Sequence, residues 1–232
     1  KDLERSLKSD DLNDEEINEL VIPSTLSRKQ VDEKLRLLKQ GTFLLENKEP
    51  EKAIDRFDKL LLITPKDYSG WFNRGLAYQL CKNSDEAISS YEKALTINPN
   101  YARALQNKAD LHNERKEFDS AINCMKKCIE IEPDDDHNYV ILGNAYLESD
   151  LDLAQQQYET ATHINPDSFG ALNNLGSVLK KKGLEKDALN CYKRAVKLDP
   201  NFYDVLANMA TLYRKMGNLE MYEEFSKRAL KA

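Results

Sequence analysis

The chain has 232 residues, of which 41% are hydrophobic and 32% are charged, and its net charge is −6. This composition suits a soluble, helix-rich protein, because eight glycines and seven prolines are too few for a disordered or linker-rich chain. No apolar run approaches the length that a membrane-spanning helix needs, and the chain start does not resemble a signal peptide.

The first 33 residues differ in composition from the rest, because they carry ten acids against five bases. Asn13, followed by three acids, predicts the start of a short helix that runs to about Ile22. Pro23 ends it, and Ser27 is the predicted cap of the next helix. We interpret residues 1–33 as an acidic N-terminal arm. It is either a solvated arm with one capping helix, or it docks against the basic C-terminal part, in cis or from a second molecule.

The rest of the chain repeats with a period of 34 residues. Small residues recur at spacings of 34, 34, 34, 33 and 34, namely at Gly41, Gly75, Ala109, Gly143, Gly176 and Ala210. Alanines follow about twelve residues later, at Ala53, Ala87, Ala121, Ala154 and Ala188. Large residues come four positions after those alanines, at Phe57, Tyr91, Met125, Tyr158 and Tyr192. Each unit then closes on a proline, at Pro65, Pro99, Pro133, Pro166 and Pro200. The classes share one deletion, near residues 150–153.

This pattern predicts six helical hairpins. The small residue lets the second helix approach the first, and the proline ends the second helix because proline cannot continue one. In period and residue pattern, residues 34–232 resemble the tetratricopeptide repeat family. The resemblance implies an all-α fold, a right-handed superhelix (α-solenoid) of about six helix-turn-helix repeats. The predicted units are 34–67, 68–101, 102–135, 136–168, 169–202 and 203–232.

The last unit departs from the pattern, because Tyr222 replaces its alanine. Terminal repeats need a polar outer face or a capping helix, and no separate cap follows residue 232. The chain also opens on Lys1 rather than Met. We therefore expect a longer parent protein.

Asparagine recurs two positions before the small residue. The six residues at this place are Lys39, Asn73, Asn107, Ile141, Asn174 and Asn208. The resemblance implies that the first helices line a concave groove and that this position points into it, as in the asparagine ladders of O-linked N-acetylglucosamine transferase and of the peroxisomal targeting-signal receptor. An amide both donates and accepts, so it can hold one peptide unit of an extended ligand. In the alternative interpretation, these asparagines bond the backbone of a neighbouring repeat.

Further groove residues change in character along the chain. The apolar candidates are Leu35, Leu38, Phe72, Leu76 and Val140. The middle units offer Arg103, Gln106, Asp110 and Asn144, and the last units offer Asn173, Lys180, Lys181, Arg214 and Lys215. An apolar end followed by a basic end suits a peptide with hydrophobic anchors and an acidic stretch or free carboxylate. Only Asn73 and Arg103 match the carboxylate clamp of chaperone-binding repeats, which disfavours that subclass.

The sequence predicts no catalytic, metal or cofactor site. His112, His137 and His163 occupy different repeat positions, and no histidine lies one turn from Cys124 and Cys128 to complete a zinc set. The acidic run 134–136 lacks the glycine and closing glutamate of a calcium loop. No phosphate-binding or nucleophile motif is present. The four cysteines show no disulfide framework and read as reduced thiols, which predicts a cytoplasmic or nuclear protein.

The prediction is therefore a non-enzymatic scaffold that binds an extended segment of a partner protein in its groove. The uneven charge argues against nucleic acid as a ligand. Two alternatives remain. One is the substrate-recruiting segment of a larger enzyme, such as a glycosyltransferase or methyltransferase. The other is an assembly subunit that uses its convex face or self-association.

Overall fold

The computed structural model describes residues 26–231, and in this range it contains twelve α-helices and no strand. The helices are α1 Arg28–Glu46, α2 Pro50–Ile63, α3 Tyr68–Leu80, α4 Ser84–Ile97, α5 Ala102–Glu114, α6 Phe118–Ile131, α7 Asp136–Tyr146, α8 Leu151–Ile164, α9 Phe169–Lys181, α10 Glu185–Leu198, α11 Tyr203–Lys215 and α12 Leu219–Ala229. They form the six predicted helix-turn-helix repeats. The short helix predicted between Asn13 and Ile22 lies outside the described residues.

The first helix begins upstream of residue 34, where the 34-residue register places the first unit. Ser27 caps it, as its sequence context predicted, and Gln30 completes a capping box by accepting from the Ser27 backbone. This reciprocal cap satisfies two backbone donors that a helix start otherwise leaves open. As a result α1 has 19 residues, whereas the other first helices have 11 to 13.

The chain divides into two compact units between Leu111 and His112. In unit 1, residues 26–111, α1 packs on α2 and α3 packs on both α2 and α4. Its core is built around Phe57 and Tyr91, each of which has no exposed surface. In unit 2, residues 112–231, the pairs α7–α8, α9–α10 and α11–α12 pack in sequence around Tyr158 and Tyr192.

Small residues of the first helices make room for these large rings. A Cβ atom added to Gly75 would lie 2.5 Å from Cε1 of Tyr91, and one added to Gly176 would lie 2.7 Å from Cε1 of Tyr192. Gly41 and Gly143 stand in the same relation to Phe57 and Tyr158. The glycine that weakens each helix on propensity grounds is thus what allows its hairpin to close.

The turn inside each hairpin follows from the same repeat. In five repeats it has three residues, and the middle one has positive φ: Lys48, Lys82 and Lys116, then Gly183 and Gly217. The fourth repeat differs, since α7 ends early at Tyr146 and its turn has four residues, 147–150, all at negative φ. The single deletion predicted from the spacing therefore falls at the end of α7 and in this turn.

Candidate functional site

In unit 1 the repeated asparagines bond their own helices. Nδ2 of Asn73 donates to the Ser69 carbonyl at 3.0 Å, and Nδ2 of Asn107 donates to the Arg103 carbonyl at 2.8 Å. Both are bonds to the residue one turn earlier, which explains how a weak helix former is accommodated in mid-helix. Asn73 is half-buried, but Asn107 is only 6% exposed. Neighbouring side chains would have to move before Asn107 could contact a ligand.

In unit 2 the asparagines bond across repeats. Oδ1 of Asn144 on α7 accepts from the Tyr158 hydroxyl at 2.7 Å and from Nδ2 of Asn174 on α9 at 3.1 Å. Asn173 in turn donates to Oδ1 of Asn174 at 3.4 Å. We call Asn144, Tyr158 and Asn174 the amide relay. It joins three helices of neighbouring repeats through side chains, whereas the alternative interpretation predicted bonds to the backbone of a neighbouring repeat.

A second polar link joins α9 to α11. Nζ of Lys180 donates to Oδ1 of Asn208 at 2.6 Å, and both side chains are half-buried. Burial lowers the pKa of Lys180, and the positive charge of Lys181 lowers it further. Lys180 is thus held against the first-helix face, with its ammonium group beside the amide of the next repeat.

The remaining cations of the predicted site lie on the surface at the ends of α9 and α11. Lys181, Arg214 and Lys215 are all exposed. The Arg214 guanidinium lies 5.8 Å from the centre of the Tyr222 ring, and Nζ of Lys215 lies 2.6 Å from Oε1 of Glu185. The hydrogen bond from Lys215 lowers the pKa of the Glu185 carboxyl. These groups are accessible to an acidic ligand, and two of them already have a partner.

The prediction of an apolar end to the groove was wrong. Phe72 is 1% exposed, and its ring centre lies 5.0 Å from that of Tyr101 and 5.7 Å from that of Tyr91. The Arg103 guanidinium covers the ring at 5.1 Å. Phe72 is therefore a core residue and not an exposed anchor for a ligand. Leu38, Leu76 and Val140 are buried as well, because an amphipathic first helix turns most of its apolar residues toward its neighbours.

Sequence reasoning missed the tyrosine hydroxyls. The buried rings of Tyr91, Tyr158 and Tyr192 carry hydroxyls that reach Gln79, Asn144 and Ser177 on the first helix of their own hairpin, at 2.7, 2.7 and 3.0 Å. Burial raises the pKa of Tyr192 to about 12, and it also raises that of Tyr158, so both hydroxyls are protonated hydrogen-bonding groups at neutral pH. The sequence did contain a signal for these bonds, because three later repeats have Tyr at the position where the first repeat has Phe57.

His112 and Cys128 fill structural positions. His112 is 9% exposed, and its Nδ1 lies 2.6 Å from Oε2 of Glu117, a bond that lowers the pKa of that carboxyl. Cys128 is fully buried, and burial raises its pKa to about 12. All four thiols are free, and residues 26–231 contain no cluster of three potential metal ligands. Across the same residues, no helix combines the length and the apolar character needed to cross a membrane.

Comparison with family models identifies the repeats. Models described as tetratricopeptide repeat match residues 68–101, 102–135, 170–202 and 191–221. Together these matches cover residues 68–135 and 170–221, just over half of the chain. The chain belongs to the tetratricopeptide repeat family. A model of the protein prenyltransferase alpha subunit repeat also matches residues 50–81, in the first part of the tetratricopeptide array.

Solved tetratricopeptide structures share the fold at low sequence identity. PilF of Pseudomonas aeruginosa superposes with a TM-score of 0.75 at 17% identity, covering 85% of this chain and 90% of PilF. YrrB, described as a tetratricopeptide protein with an unusual peptide-binding site, superposes with a TM-score of 0.57 at 19% identity, over 75% of this chain and 91% of YrrB. Identities this low establish the fold alone.

One curated relative matches part of this chain. A UDP-N-acetylglucosamine–peptide N-acetylglucosaminyltransferase of Giardia intestinalis is 33% identical over 81 residues. The match takes in 34% of this chain and only 6% of the length of that relative. The similarity is thus to a short stretch of a much longer protein. In general terms, tetratricopeptide repeats indicate a scaffold for interactions with other proteins.

Proposed function

We propose that this chain binds an extended, acidic segment of a partner protein along the first helices of its repeats. The contacts would come from Asn73, Asn174 and Asn208, with Asn107 as the most buried member of the set. The cations Lys180, Lys181, Arg214 and Lys215 would pair with carboxylates of the partner. Arg103 and Asn144 flank these positions. Binding would not require a cofactor or a catalytic group, and a cytoplasmic or nuclear setting is part of the proposal.

The observation that carries this proposal is the link between Lys180 and Asn208. Nζ of Lys180 lies 2.6 Å from the Asn208 amide oxygen, beside the exposed Lys181. A partner carboxylate that approached this point would meet two ammonium groups, and a partner backbone would meet the amide. Charge-assisted hydrogen bonds of this kind are about twice as strong as neutral ones. The peptide-binding site named for YrrB, a protein of the same fold, supports a peptide as the class of ligand.

A second candidate function rests on the Giardia relative. That protein is named for transfer of N-acetylglucosamine to peptides, and the shared 81 residues are a small part of its length. The chain would then recruit substrates for a larger enzyme whose catalytic part lies elsewhere. In both cases the repeats bind a polypeptide, so the two candidates differ in what the repeats are attached to. The sequence of the complete parent protein separates them.

The proposal is tested first by finding the ligand. The full chain is incubated with an array of overlapping peptides from proteins that co-purify with it, and bound peptides are ranked by affinity. We expect the tightest peptides to be extended and acidic. A preference for basic peptides, or no peptide bound while whole proteins still co-purify, would contradict the proposal and favour an assembly subunit.

The second step asks whether the asparagines contact that peptide. Changing Asn73, Asn107, Asn174 and Asn208 to Ala is expected to weaken binding at least tenfold, about 1.4 kcal/mol. Loss of the bonds to Asn144 and Lys180 is also expected to lower stability by about 1 kcal/mol each. Binding is therefore measured at a temperature where circular dichroism shows the variant folded. Tyr158→Phe is the matched control, because it disturbs the amide relay without removing an amide from the face.

If the asparagines only hold repeats together, the control and the Asn174→Ala variant would weaken binding alike. If they contact the peptide, Tyr158→Phe would lower stability and leave affinity within about twofold of the native chain. The two results separate a ligand contact from a structural role at the same position.

A further inference from the structure

An open pocket lies between α2 and α3 in unit 1. It has a volume of about 470 Å³. We call it the Trp71 pocket, and the residues that line it are Asp58, Leu61, Leu62, Pro65, Trp71 and Arg74. Nε1 of Trp71 donates to the Pro65 carbonyl at 2.9 Å, and the Arg74 guanidinium lies 5.6 Å from the centre of the indole ring. These contacts hold the indole in place while it remains half-buried.

Leu62 is an apolar exception at its repeat position. Its side chain is 84% exposed. The other five repeats all have a polar residue at this position, namely Thr96, Glu130, His163, Lys197 and Lys231. The fold of the repeat therefore does not require an apolar side chain there. Since Leu62 also lines the Trp71 pocket, the exposed leucine and the pocket together form an apolar surface of the kind that contacts another molecule.

The ion pairs at the Trp71 pocket cover the cation and expose the carboxylates. Nε of Arg74 lies 2.7 Å from Oδ1 of Asp58, and its Nη1 lies 3.6 Å from Oε2 of Glu86. The Arg74 side chain is only 17% exposed, whereas those of Asp58 and Glu86 are 49% and 50% exposed. Lys66, in the turn that follows α2, is exposed as well. Cations of an approaching molecule are therefore expected beside Asp58 and Glu86 rather than at this turn.

We propose that the Trp71 pocket binds a basic segment of a partner protein that presents one large apolar side chain. The apolar side chain packs against Leu62 and Trp71, and the lysines or arginines that flank it pair with Asp58 and Glu86. Burial of apolar surface supplies most of the binding energy, and the charges select a basic segment over an acidic one. The contact uses none of the residues proposed to bind the acidic segment, so it does not depend on the proposed function.

Binding is measured through Trp71 itself, because it is the single tryptophan of the chain. The full chain is titrated with three pools of short synthetic peptides that lack tryptophan. In the first pool a central leucine is flanked by lysines at varied spacing. Alanine replaces the leucine in the second pool, and glutamates replace the lysines in the third. We expect the first pool to bind at least tenfold more tightly than the others and to shift Trp71 emission to shorter wavelength, because leucine excludes water from the indole.

The apolar contact is tested by Leu62→Thr, since the second repeat has Thr96 at this position. Affinity for the first pool is expected to fall at least fivefold. The matched control is Leu219→Thr, which changes a leucine of unit 2 that is 63% exposed. The control is expected to keep affinity within twofold, and circular dichroism checks that both variants retain their helicity.

The charged contacts are tested by Asp58→Asn combined with Glu86→Gln. Affinity for the first pool is expected to fall at least fivefold at about 50 mM salt, and the loss should shrink as salt is raised. Glu86→Gln alone leaves the bond between Arg74 and Asp58 intact, and it should still weaken binding at least twofold. The matched control combines Asp119→Asn with Glu130→Gln, two exposed acids of α6, and should stay within twofold of the native chain.

Four outcomes would overturn the proposal. The first is equal binding of the leucine and alanine pools, which would show that no apolar side chain enters the pocket. The second is tighter binding of the acidic pool, and the third is unchanged Trp71 emission with all pools at about 1 mM peptide. The fourth is a dimer in light scattering that Leu62→Thr dissociates, because the pocket would then be an interface between two copies of this chain.

Discussion

At the scale of single residues, four of the six first helices have a glycine where the buried ring of the second helix packs against them. Gly75 faces Tyr91, whose ring is fully buried and whose hydroxyl is tied to Gln79 at 2.7 Å. The ring cannot retreat without losing that bond. In the third repeat, Ala109 occupies the position of Gly75. Met125 occupies the position of Tyr91, so a flexible side chain stands in place of a ring. Small and large residues thus change together along the chain.

Changing Gly75 to Ala is therefore expected to destabilise the protein, although alanine favours helix by about 1 kcal/mol. The added Cβ would lie 2.5 Å from a buried ring atom, and overpacking of this kind costs about 1–3 kcal/mol. Urea denaturation should show a net loss of up to about 2 kcal/mol. Gly170→Ala is the matched control, because no atom lies within 4 Å of its added Cβ. If Gly75→Ala proved as stable as Gly170→Ala, the packing of Tyr91 against Gly75 would not require a glycine.

A second residue pair corrects an expectation from the repeat. Cys128 aligns with Ala94 and Ala161, so the repeat pattern alone predicts that Cys128→Ala is tolerated. In the structure, however, its Sγ donates to Oδ1 of Asn138 at 3.2 Å, and both side chains are fully buried. Asn138 itself aligns with Ala104 and Ala171. The third and fourth repeats have thus replaced two small residues with a bonded polar pair.

We now expect Cys128→Ala to cost about 1 kcal/mol. The double variant Cys128→Ala with Asn138→Ala should cost less than the sum of the two single changes, because it removes both partners. Urea denaturation of the four proteins measures this coupling. Cys191→Ala is the control for loss of a buried sulfur, since Cys191 makes no hydrogen bond within the described residues. Strict additivity of the two changes would show that the bond contributes nothing.

At the scale of helices, the spacing of small, large and proline residues was enough to predict twelve helices and their pairing. Each of those residue classes is required by the backbone or by the packing at a position that recurs along the repeats. The partners of the polar side chains were not predictable in this way. Asn73 and Asn174 occupy one repeat position, yet the first bonds its own helix and the second bonds Asn144. The partner of each asparagine depends on the side chains of the neighbouring repeats. The sequence of a single repeat therefore does not predict it.

A buried ion pair in unit 1 joins α1 to the residue that caps the start of α3. Nζ of Lys34 on α1 lies 2.9 Å from Oδ2 of Asp67, and their side chains are 4% and 3% exposed. Oδ2 of Asp67 has no hydrogen-bond partner within residues 26–231, so Lys34 supplies the counter-charge of this buried carboxylate. The other carboxylate oxygen accepts from the Gly70 N–H at 3.1 Å and caps α3. Asp67 thus fixes both the start of α3 and the position of α1.

Changing Lys34 to Met is expected to destabilise the protein by about 3–5 kcal/mol, because it leaves a buried carboxylate without its counter-charge. The surface pair of Lys59 and Asp55 provides the control, and Lys59→Met should cost no more than about 0.5 kcal/mol. A further Asp67→Ser change in the Lys34→Met background should recover part of the loss, since Ser168 occupies the corresponding turn position in a later repeat. Guanidinium denaturation is unsuitable here because it screens charges, so urea is the denaturant. Similar losses for Lys34→Met and Lys59→Met would contradict the importance of burial.

At the scale of the whole molecule, charge is distributed along the chain with opposite signs at its two ends. Residues 1–33 carry ten acids and five bases, whereas residues 169–232 carry twelve bases and seven acids. The net charge of −6 hides this difference. Long-range attraction of an acidic ligand therefore acts on the last two repeats, and its strength must depend on ionic strength.

The corresponding prediction concerns the salt dependence of partner binding. Reversing Lys180, Lys181, Arg214 and Lys215 to Glu should weaken binding of the acidic peptide found on the array at least tenfold at about 50 mM salt. The loss should shrink at about 500 mM, because the Debye length falls from roughly 10 Å at 0.1 M salt to roughly 3 Å at 1 M. The control reverses Lys66, Lys93, Lys126 and Lys127, four exposed lysines elsewhere, and changes the net charge by the same amount. If both variants lose affinity equally, total charge rather than the ends of α9 and α11 attracts the ligand. If the first variant loses affinity alone, and its thermal unfolding confirms that it remains folded without the Lys180–Asn208 bond, the last two repeats contain the acidic-ligand site.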